Sequence, residues 1–377
     1  MSEPFEVAVI GGGIAGVSAA FELASTHKVV LVEAEENLAH HSTGRSAALF
    51  FENYGAEAIR PLTLASRPFL SSPHPDLTDV PLMRPRGAMW IARPDQAGEL
   101  DQIAEEGRRT GGDPVQLTPS EACRRVPVLI EQRLAGGLWE PDPMDLDVAA
   151  LHQAYVRGLR ARDGRILTSA PVSSVEERGI DWLVQAGPHE LTATTIVDAA
   201  GAWGDEVAEL AGVEPVGLTP MRRTAFMVAG DPAWSDWPMV VNVDHDFYFK
   251  PDGSQLLCSP ADETPSPPCD ARPEMTDVAL AIERINEATT LEIRSVRSQW
   301  AGLRTFAPDR AMVIGPEPSA PGFFWLVGQG GTGIQTAPAA ATLLAAQVRG
   351  EPLPAQLDQA GVDPHRLGPA RLRACAP

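Results

Sequence analysis

Residues 37–51, NLAHHSTGRSAALFF, crowd His40, His41, Ser42, Thr43, Gly44, Arg45 and Ser46 together and then run into small and apolar residues. Such side chains can ligate a metal, pair a nucleophile with a base, cradle a phosphate, or sit solvated in a loop. What precedes them decides between these. Upstream, Gly11, Gly13 and Gly16 form G-x-G-x-x-G, directly after FEVAVIG and at the start of GIAGVSAAFELAST. The three glycines allow a tight turn, a close approach of backbone to a pyrophosphate, and close packing of helix on strand. The helix N-terminus adds free N–H groups and a positive dipole end. Glu33 ends the run KVVLVE, where an acid accepts hydrogen bonds from a ribose and disfavours a 2′-phosphate. Strand, helix and acid in register predict a dinucleotide site, and NADP is not its ligand.

The elements that must hold this site follow from hydrophobic spacing. Residues 5–34 predict a βαβ unit. Helices are expected at AIRPLTLASRPFL, QAGELDQIAEEGRRT, TPSEACRRVPVL (opened by a Thr118–Glu121 capping pair) and DVAALHQAYVRGLRARDG. RGAMWIARP and RILTSAPVSSVEE read as strands, and ATTIVDAAGAWGDEVAELAG as strand, glycine turn, helix. RRTAFMVAG, PMVVNVDHDFYFKPDGSQLLCSP and EIRSVRSQWAGLRTF alternate between turn signals and predict an antiparallel meander, with ADETPSPPCDARPE as a Pro-rich surface loop. GFFWLVGQGGTGIQTAPAAATLLAAQVRG returns to strand, glycine loop and helix, and DPHRLGPARLRACAP is expected to be a frayed tail. Because the two textures interleave, the domains are expected to be discontinuous. One is built from 1–46, 145–217 and 303–350, the other from 47–144 and 218–302, with 351–377 as a C-terminal tail.

Composition narrows the function classes. The net charge of −20 over 377 residues argues against a nucleic-acid or anionic-membrane surface. No apolar run approaches the ~20 residues that span a bilayer. The N-terminus carries no basic, cleavable leader, so a cytoplasmic location is expected. Cys123, Cys258, Cys269 and Cys375 are far apart and form no CxxC pair, so neither a disulfide framework nor a metal site is expected.

After Glu33 the chain does not continue as ordinary sheet. It enters HSTGRSAA, whose hydroxyls and backbone donors suit wrapping the second half of a large cofactor such as FAD rather than NAD. HSTGRSAA, VDAAGAWGDEVAELAGV and GQGGTGIQTAPAAA, with YGAEAIRPLTLASRPF, DVAALHQAY, DWPM, FYFKPD and WAGLRTFAPD in order, resemble the D-amino-acid oxidase/glycine oxidase superfamily of FAD enzymes. Within it they are most similar to D-amino-acid dehydrogenases of the D-arginine type. The resemblance covers nearly the whole chain. It implies an α/β fold with an α+β cap: a Rossmann-like FAD-binding domain of the glutathione-reductase type and a mixed-sheet substrate-binding domain.

The resemblance also implies site roles. Gly11, Gly13, Ala15 and Gly16 meet the pyrophosphate; Glu33 and Ala34 meet the adenosine ribose, and Val172 the adenine. Ser42, Thr43, Gly44, Arg45, Ser46, Ala47, Ala48 and Leu49 wrap the ribityl chain and flavin. Ala200, Gly201 and Trp203 join the cofactor site. Gly330, Gly331, Thr332, Gly333, Ile334 and Gln335 place a helix N-terminus at the flavin's pyrimidine edge. No cysteine precedes that helix, so FAD is expected to be noncovalent.

A carboxylate substrate calls for arginine, whose planar fork matches it. Arg223 and Arg304 match the family's clamp, with Arg222 as a structural neighbour. Tyr54 and Tyr248 match pocket tyrosines, and Tyr155 is expected in packing. Gln335 and the Gly331 carbonyl are candidate amine partners, and His41 is a weak candidate base. Ala88 stands where D-arginine dehydrogenase has a glutamate, Leu49 replaces a histidine and Thr332 a tyrosine. Together these departures point to a neutral or apolar D-amino acid. The implied reaction is oxidative deamination to a 2-oxo acid and ammonia, by hydride transfer from the α carbon to flavin N5. The strand SQLLCSPAD lacks the oxygen-activating lysine of sarcosine-oxidase relatives, and Lys250 lies on the adjacent strand. A quinone or other acceptor is therefore favoured over oxygen. The alternatives are a glycine/sarcosine-type secondary-amine oxidase producing hydrogen peroxide and, more distantly, a non-catalytic flavin-binding protein.

Overall fold

A computed structural model describes residues 3–109 and 111–373. Its first sheet runs, in spatial order, through Val172–Arg178, Asp181–Ala186, His189–Asp198, Glu3–Ile10, Val29–Val32 and Arg165–Leu167. Glu3–Ile10 pairs in parallel with both its neighbours. The long His189–Asp198 strand changes partner along its length. Its first half pairs antiparallel with Asp181–Ala186 and its end, from Ile196, runs parallel to Phe323–Val327. Side chains alternate across the sheet. Val7 and Val9 enter the core with the helices Ile14–Leu23, Val148–Ala161 and Gly333–Val348, while Ala8 and Ile10 enter the opposite core with Trp182 and Trp325. Burial on both faces is why Val7–Ile10 are uniformly apolar instead of alternating.

The second sheet orders Thr264–Pro265, Thr219–Ala229, Gln255–Ser259, Tyr248–Asp252, Met239–Asn242, Ala88–Ala92, Gly136–Glu140 and Val115–Leu117, with Ser298–Phe306 on the other edge of Thr219–Ala229. The expected meander is antiparallel as far as Met239–Asn242, which then runs parallel to Ala88–Ala92. Ser298–Phe306 pairs with Thr219–Met227 along its whole length, so this sheet extends past residue 302, the expected cut. A helix not anticipated from the sequence, Met275–Ala288, lays Val278, Ala281 and Ile285 against Phe226, Phe249 and Leu256 on one face. A small third sheet, Leu49–Phe50, Met144–Leu146 and Met83–Pro85, bridges the two.

The expected helices at 97–109 and 119–125 are present, and Thr118 and Glu121 form the reciprocal capping box. The expected fraying of the C-terminal segment is not observed. Within it Leu367 is buried in the main core, next to Leu357 and Val362 that precede it, and Ile314 N–H donates to the Leu367 carbonyl at 2.9 Å. Arg371 bonds Asp309 and the Ala311 carbonyl. Leu367, with no exposed surface, anchors the segment against its high proline and glycine content. Residues 374–377, including Cys375, lie outside the described residues. Cys123, Cys258 and Cys269 are free thiols. No described helix is long and apolar enough to cross a membrane.

Candidate functional site

The glycine loop opens onto a cleft of about 390 Å³, lined by Gly11–Ala15, Glu33, Ala34, Ala170–Val172 and Ala199–Trp203. The glycines there are obligatory. A Cβ on Gly11 would stand 2.4 Å from the Ala199 carbonyl oxygen at φ +110°, and one on Gly16 would stand 1.8 Å from the Gly11 carbonyl oxygen. Glu33 is held by two backbone donors, Gly12 N–H at 2.7 Å and Glu35 N–H at 2.9 Å, which aim its remaining lone pairs along the cleft. Two supports were not anticipated. Thr43 Oγ1 accepts the Ile14 N–H at 3.0 Å, so a residue of the polar loop caps the helix. His152, buried on the Val148–Ala161 helix, places Nε2 3.0 Å from the Gly12 carbonyl oxygen. Burial holds this imidazole below its ordinary value, which keeps it the neutral donor that the carbonyl needs. Its position on the apolar stripe with Leu151, Tyr155 and Leu159 was the signal in the sequence.

Asp198 ends its strand directly before Ala199 and Ala200 of the cleft lining. It is fully buried, its one bonded oxygen takes the Ala200 N–H, and its Oδ2 has no partner. Burial raises this carboxyl well above the ordinary carboxylate range. A carboxyl raised on folding binds its proton more tightly in the folded state. Its stabilisation is complete below the unfolded value and is lost as pH rises through the folded one. Asp198→Asn is therefore expected to gain on the native protein, in thermal unfolding of cofactor-free samples, as pH rises from mildly acidic to neutral. Parallel curves for the two proteins would refute this assignment.

The polar loop braces the two sheets. Ser42 Oγ donates to the Leu303 carbonyl at 2.6 Å, Arg45 to the Ala301 carbonyl at 2.8 Å and to Asp270, and Trp300 Nε1 to the Arg45 carbonyl at 2.9 Å. The Arg45 guanidinium is thus spent on protein partners, while the Ser46 and Ala47 positions line the cavity beyond. His41, the candidate base, has Nε2 2.9 Å from Glu35 and its ring against Trp203. Glu35, His40 and His41 each bring a ligand atom within 4.8 Å of the others, although the His41–Glu35 hydrogen bond already uses part of that set.

Sharing Ile14, Ser42, Thr43 and Gln329 with the long cleft is a smaller cavity of about 100 Å³. Here Arg223, Tyr248, Arg304 and Gly331 converge from separate strands and the glycine loop. Arg223 donates to the Asp262 carbonyl at 2.6 Å, and Arg304 to Tyr54 Oη at 3.0 Å. Burial, then the charge of Arg304, lowers the Arg223 guanidinium below its usual value, as expected of two cations turned toward one space. A Cβ at Gly331 would crowd the pair, meeting Tyr54 Oη at 3.0 Å and Arg304 Cζ at 3.1 Å. Arg222 points the other way, into Asp262, Glu274 and Asp277, which is the expected structural role.

Other expected positions differ. Gln335 is buried, and its amide is consumed by the Phe51 N–H and carbonyl and by Thr63 Oγ1, so it orders the loop and does not face the cavity. A polar residue two places into a helix points down onto the packed face, where its amide is worth more as a satisfied buried group. The Thr332 hydroxyl is spent on the Gln329 carbonyl. Tyr155 is buried packing against Phe21 and Phe69, as expected. Leu49 is half-buried and pairs with Asp145. Ala88 is buried, but its ladder partner is Glu140, a buried acid that no sequence argument placed there. Its carboxyl accepts from Trp90 Nε1 at 2.7 Å, and burial pushes it above the ordinary range.

A family model, DAO, described as FAD dependent oxidoreductase, matches residues 6–347. The chain belongs to this family. Among FAD-dependent oxidoreductases, it is 22% identical to glycine oxidase of Geobacillus kaustophilus over 92% of this chain and 93% of that protein. It is 23% identical to human mitochondrial dimethylglycine dehydrogenase over 96% of this chain and 44% of that protein. Anaerobic glycerol-3-phosphate dehydrogenase subunit A1 of Haloferax volcanii is 25% identical over 82% of this chain and 55% of its own length. The chain thus spans about half the length of these last two relatives. Among solved structures, L-proline dehydrogenase from P. horikoshii aligns with a TM-score of 0.85 at 20% identity, over 99% of both chains. Glycine oxidase from G. kaustophilus aligns at 0.83 and 22% identity, over 93% of this chain and 96% of that one. FAD is this oxidoreductase family's cofactor, and the residues present suit it. The glycine loop and the capped helix N-terminus await a pyrophosphate, Glu33 a ribose, and the long cleft leads from them to the cavity where the arginines meet.

Proposed function

We propose that the protein oxidises a neutral or apolar D-amino acid to its 2-oxo acid and ammonia, using noncovalent FAD. The observation that carries this reading is the convergence of Arg223 and Arg304, with Tyr54 and Tyr248 beside them, on the cavity joined to the cofactor cleft. FAD supplies the hydride acceptor at flavin N5. The arginines bind the substrate carboxylate and so fix the α carbon relative to the cofactor, which is the protein's main contribution to rate. Tyr54 orients Arg304, and the Gly331 backbone offers its carbonyl to the amine. Loss of the α hydrogen as hydride and of an amine proton leaves an imine, which water hydrolyses. Lys250, buried on the same strand as Tyr248, has its ammonium 2.6 Å from Asp145, which supports an acceptor other than oxygen. The two sheets support a cofactor domain from 1–46, 145–217 and the segment after Phe306, with the rest as a substrate cap.

The small size of the substrate cavity, about 100 Å³, favours a second reading: a glycine- or N-methylglycine-type amine as substrate. Anaerobic bleaching of the bound flavin by D-amino acids, L-amino acids and N-methylglycine separates the two. Bleaching by D-enantiomers is expected. Bleaching by N-methylglycine alone transfers the assignment to the second reading, and bleaching by L-enantiomers alone refutes both.

A further inference from the structure

At the far end of the second sheet lies another cleft, of about 300 Å³, which shares no residue with the cofactor and substrate cavities. That is the lower end of the volume range of small-molecule sites, about 300–1,000 Å³. Its floor is built and polar. Gln96 and Asn242 are 6% and 5% exposed. The Gln96 amide is fixed by Asp244 and the Arg93 N–H. Asn242 Oδ1 accepts the Asp246 and Phe247 N–H groups, which leaves its NH2 without a protein acceptor among the described residues. Asp246 gives Oδ2 to Arg284 at 3.0 Å, while Oδ1 is buried and has no donor. A buried carboxylate oxygen without a donor is uncommon in folded proteins and marks a place for an ion, a water or a ligand. On the rim, Arg133 and Glu287, of opposite sign, make no ion pair among the described residues, and Leu134 and Ala288 supply an apolar wall.

We propose that this cleft is a second binding site, for a free α-amino acid in its zwitterionic form. The ammonium meets Asp246 Oδ1 and Glu287, the carboxylate meets Arg133 and the Asn242 amide, and an aliphatic side chain lies against Leu134 and Ala288. A ligand bearing one charge alone would leave either the acidic or the basic side of the cleft unanswered.

The turn that forms the floor is also linked, through Trp90, to the wall of the substrate cavity. Between Asn242 and Phe247 it carries His245, at φ +54°, whose ring stands edge-on to Trp90 at 5.0 Å. Trp90 in turn packs against the apolar cluster that holds Tyr248, a residue lining the substrate cavity. A ligand on Asp246 and Asn242 therefore bears on the same short turn as a residue that meets Trp90, which packs with Tyr248. This coupling rests on the clamp reading above, whereas the binding itself does not.

Equilibrium dialysis of labelled L-leucine against FAD-loaded protein tests the site, with Arg304→Met introduced to disable the clamp. One saturable site per chain is expected. Adding Asp246→Asn weakens it at least tenfold, and adding Ala288→Trp, which fills the cleft without touching a charge, abolishes it. Flavin content and thermal unfolding confirm that each variant is folded. No saturable binding, or binding indifferent to both variants, overturns the proposal. If no D-amino acid is oxidised, the functional reading fails while the dialysis result stands. In protein with Arg304 intact, L-leucine is expected to shift the substrate KM and Ala288→Trp to remove the shift; an unmoved KM refutes the coupling.

Discussion

Arg304→Met is expected to lower kcat/KM by about 10²–10³, with the larger part in KM. Truncating one side of a buried, hydrogen-bonded charge pair costs about 2–5 kcal/mol, and each 1.4 kcal/mol is tenfold. Two features place this arginine in the upper part of that range. Arg304 lines the cavity, and its side-chain bond is to Tyr54 Oη, with no carboxylate in ion-pair distance among the described residues. The methionine side chain keeps most of the volume, so the loss reports the guanidinium and not a collapsed pocket. Arg304→Lys is expected to recover only part of the activity, because a point charge does not reproduce a planar fork. Steady-state kinetics together with flavin-perturbation titration of the substrate separate binding from turnover. An unchanged KM in Arg304→Met would remove the clamp from the mechanism.

The second large effect concerns the cofactor. Gly16→Ala is expected to yield protein that purifies with almost no flavin, seen as loss of visible absorbance at equal protein concentration. Elsewhere in a helix, alanine is more stable than glycine by about 1 kcal/mol. Here the new Cβ would lie 1.8 Å from the Gly11 carbonyl oxygen and 3.3 Å from Leu31, so helix and strand must separate. That separation displaces the Ile14 N–H, already capped by Thr43, and with it the group that should meet the pyrophosphate. Gly98→Ala is the matched control. It too is helical, nothing lies within 4 Å of its Cβ position, and flavin content should be unchanged. Full flavin occupancy in Gly16→Ala would mean that the loop does not form the cofactor's cradle.

The parts of the fold legible from sequence are those in which local spacing and tertiary burial agree. FEVAVIG, KVVLVEAE and the glycines between them specify a βαβ unit because strand burial on both faces and the glycine turn each impose their own residue types. The Met275–Ala288 helix went unread although Val278, Ala281 and Ile285 mark a helical face. The stripe is narrow, and the Pro-rich loop before it and the strand after it draw attention away. The C-terminal segment misled for the opposite reason, since its proline and glycine content suggests fraying while Leu367 within it buries completely.

Residue types and order along the chain predicted a dinucleotide cofactor, with Glu33 as the expected acid for its ribose and Arg223 and Arg304 as the expected substrate cations. Those conclusions rest on short-range chemistry, in which a turn, a strand end or a planar donor group carries its own signature. Only the tertiary structure decided how side chains with several possible partners are used. It gave the Gln335 amide to the Phe51 backbone, turned Arg222 into three acids and left Arg223 facing the cavity. It also set Glu140 across the ladder from Ala88, and His152 beneath the Gly12 carbonyl at a separation of 140 residues. The physical reason is that a polar side chain's role depends on which unsatisfied group lies within about 3 Å of it, and that neighbour comes from a distant part of the chain.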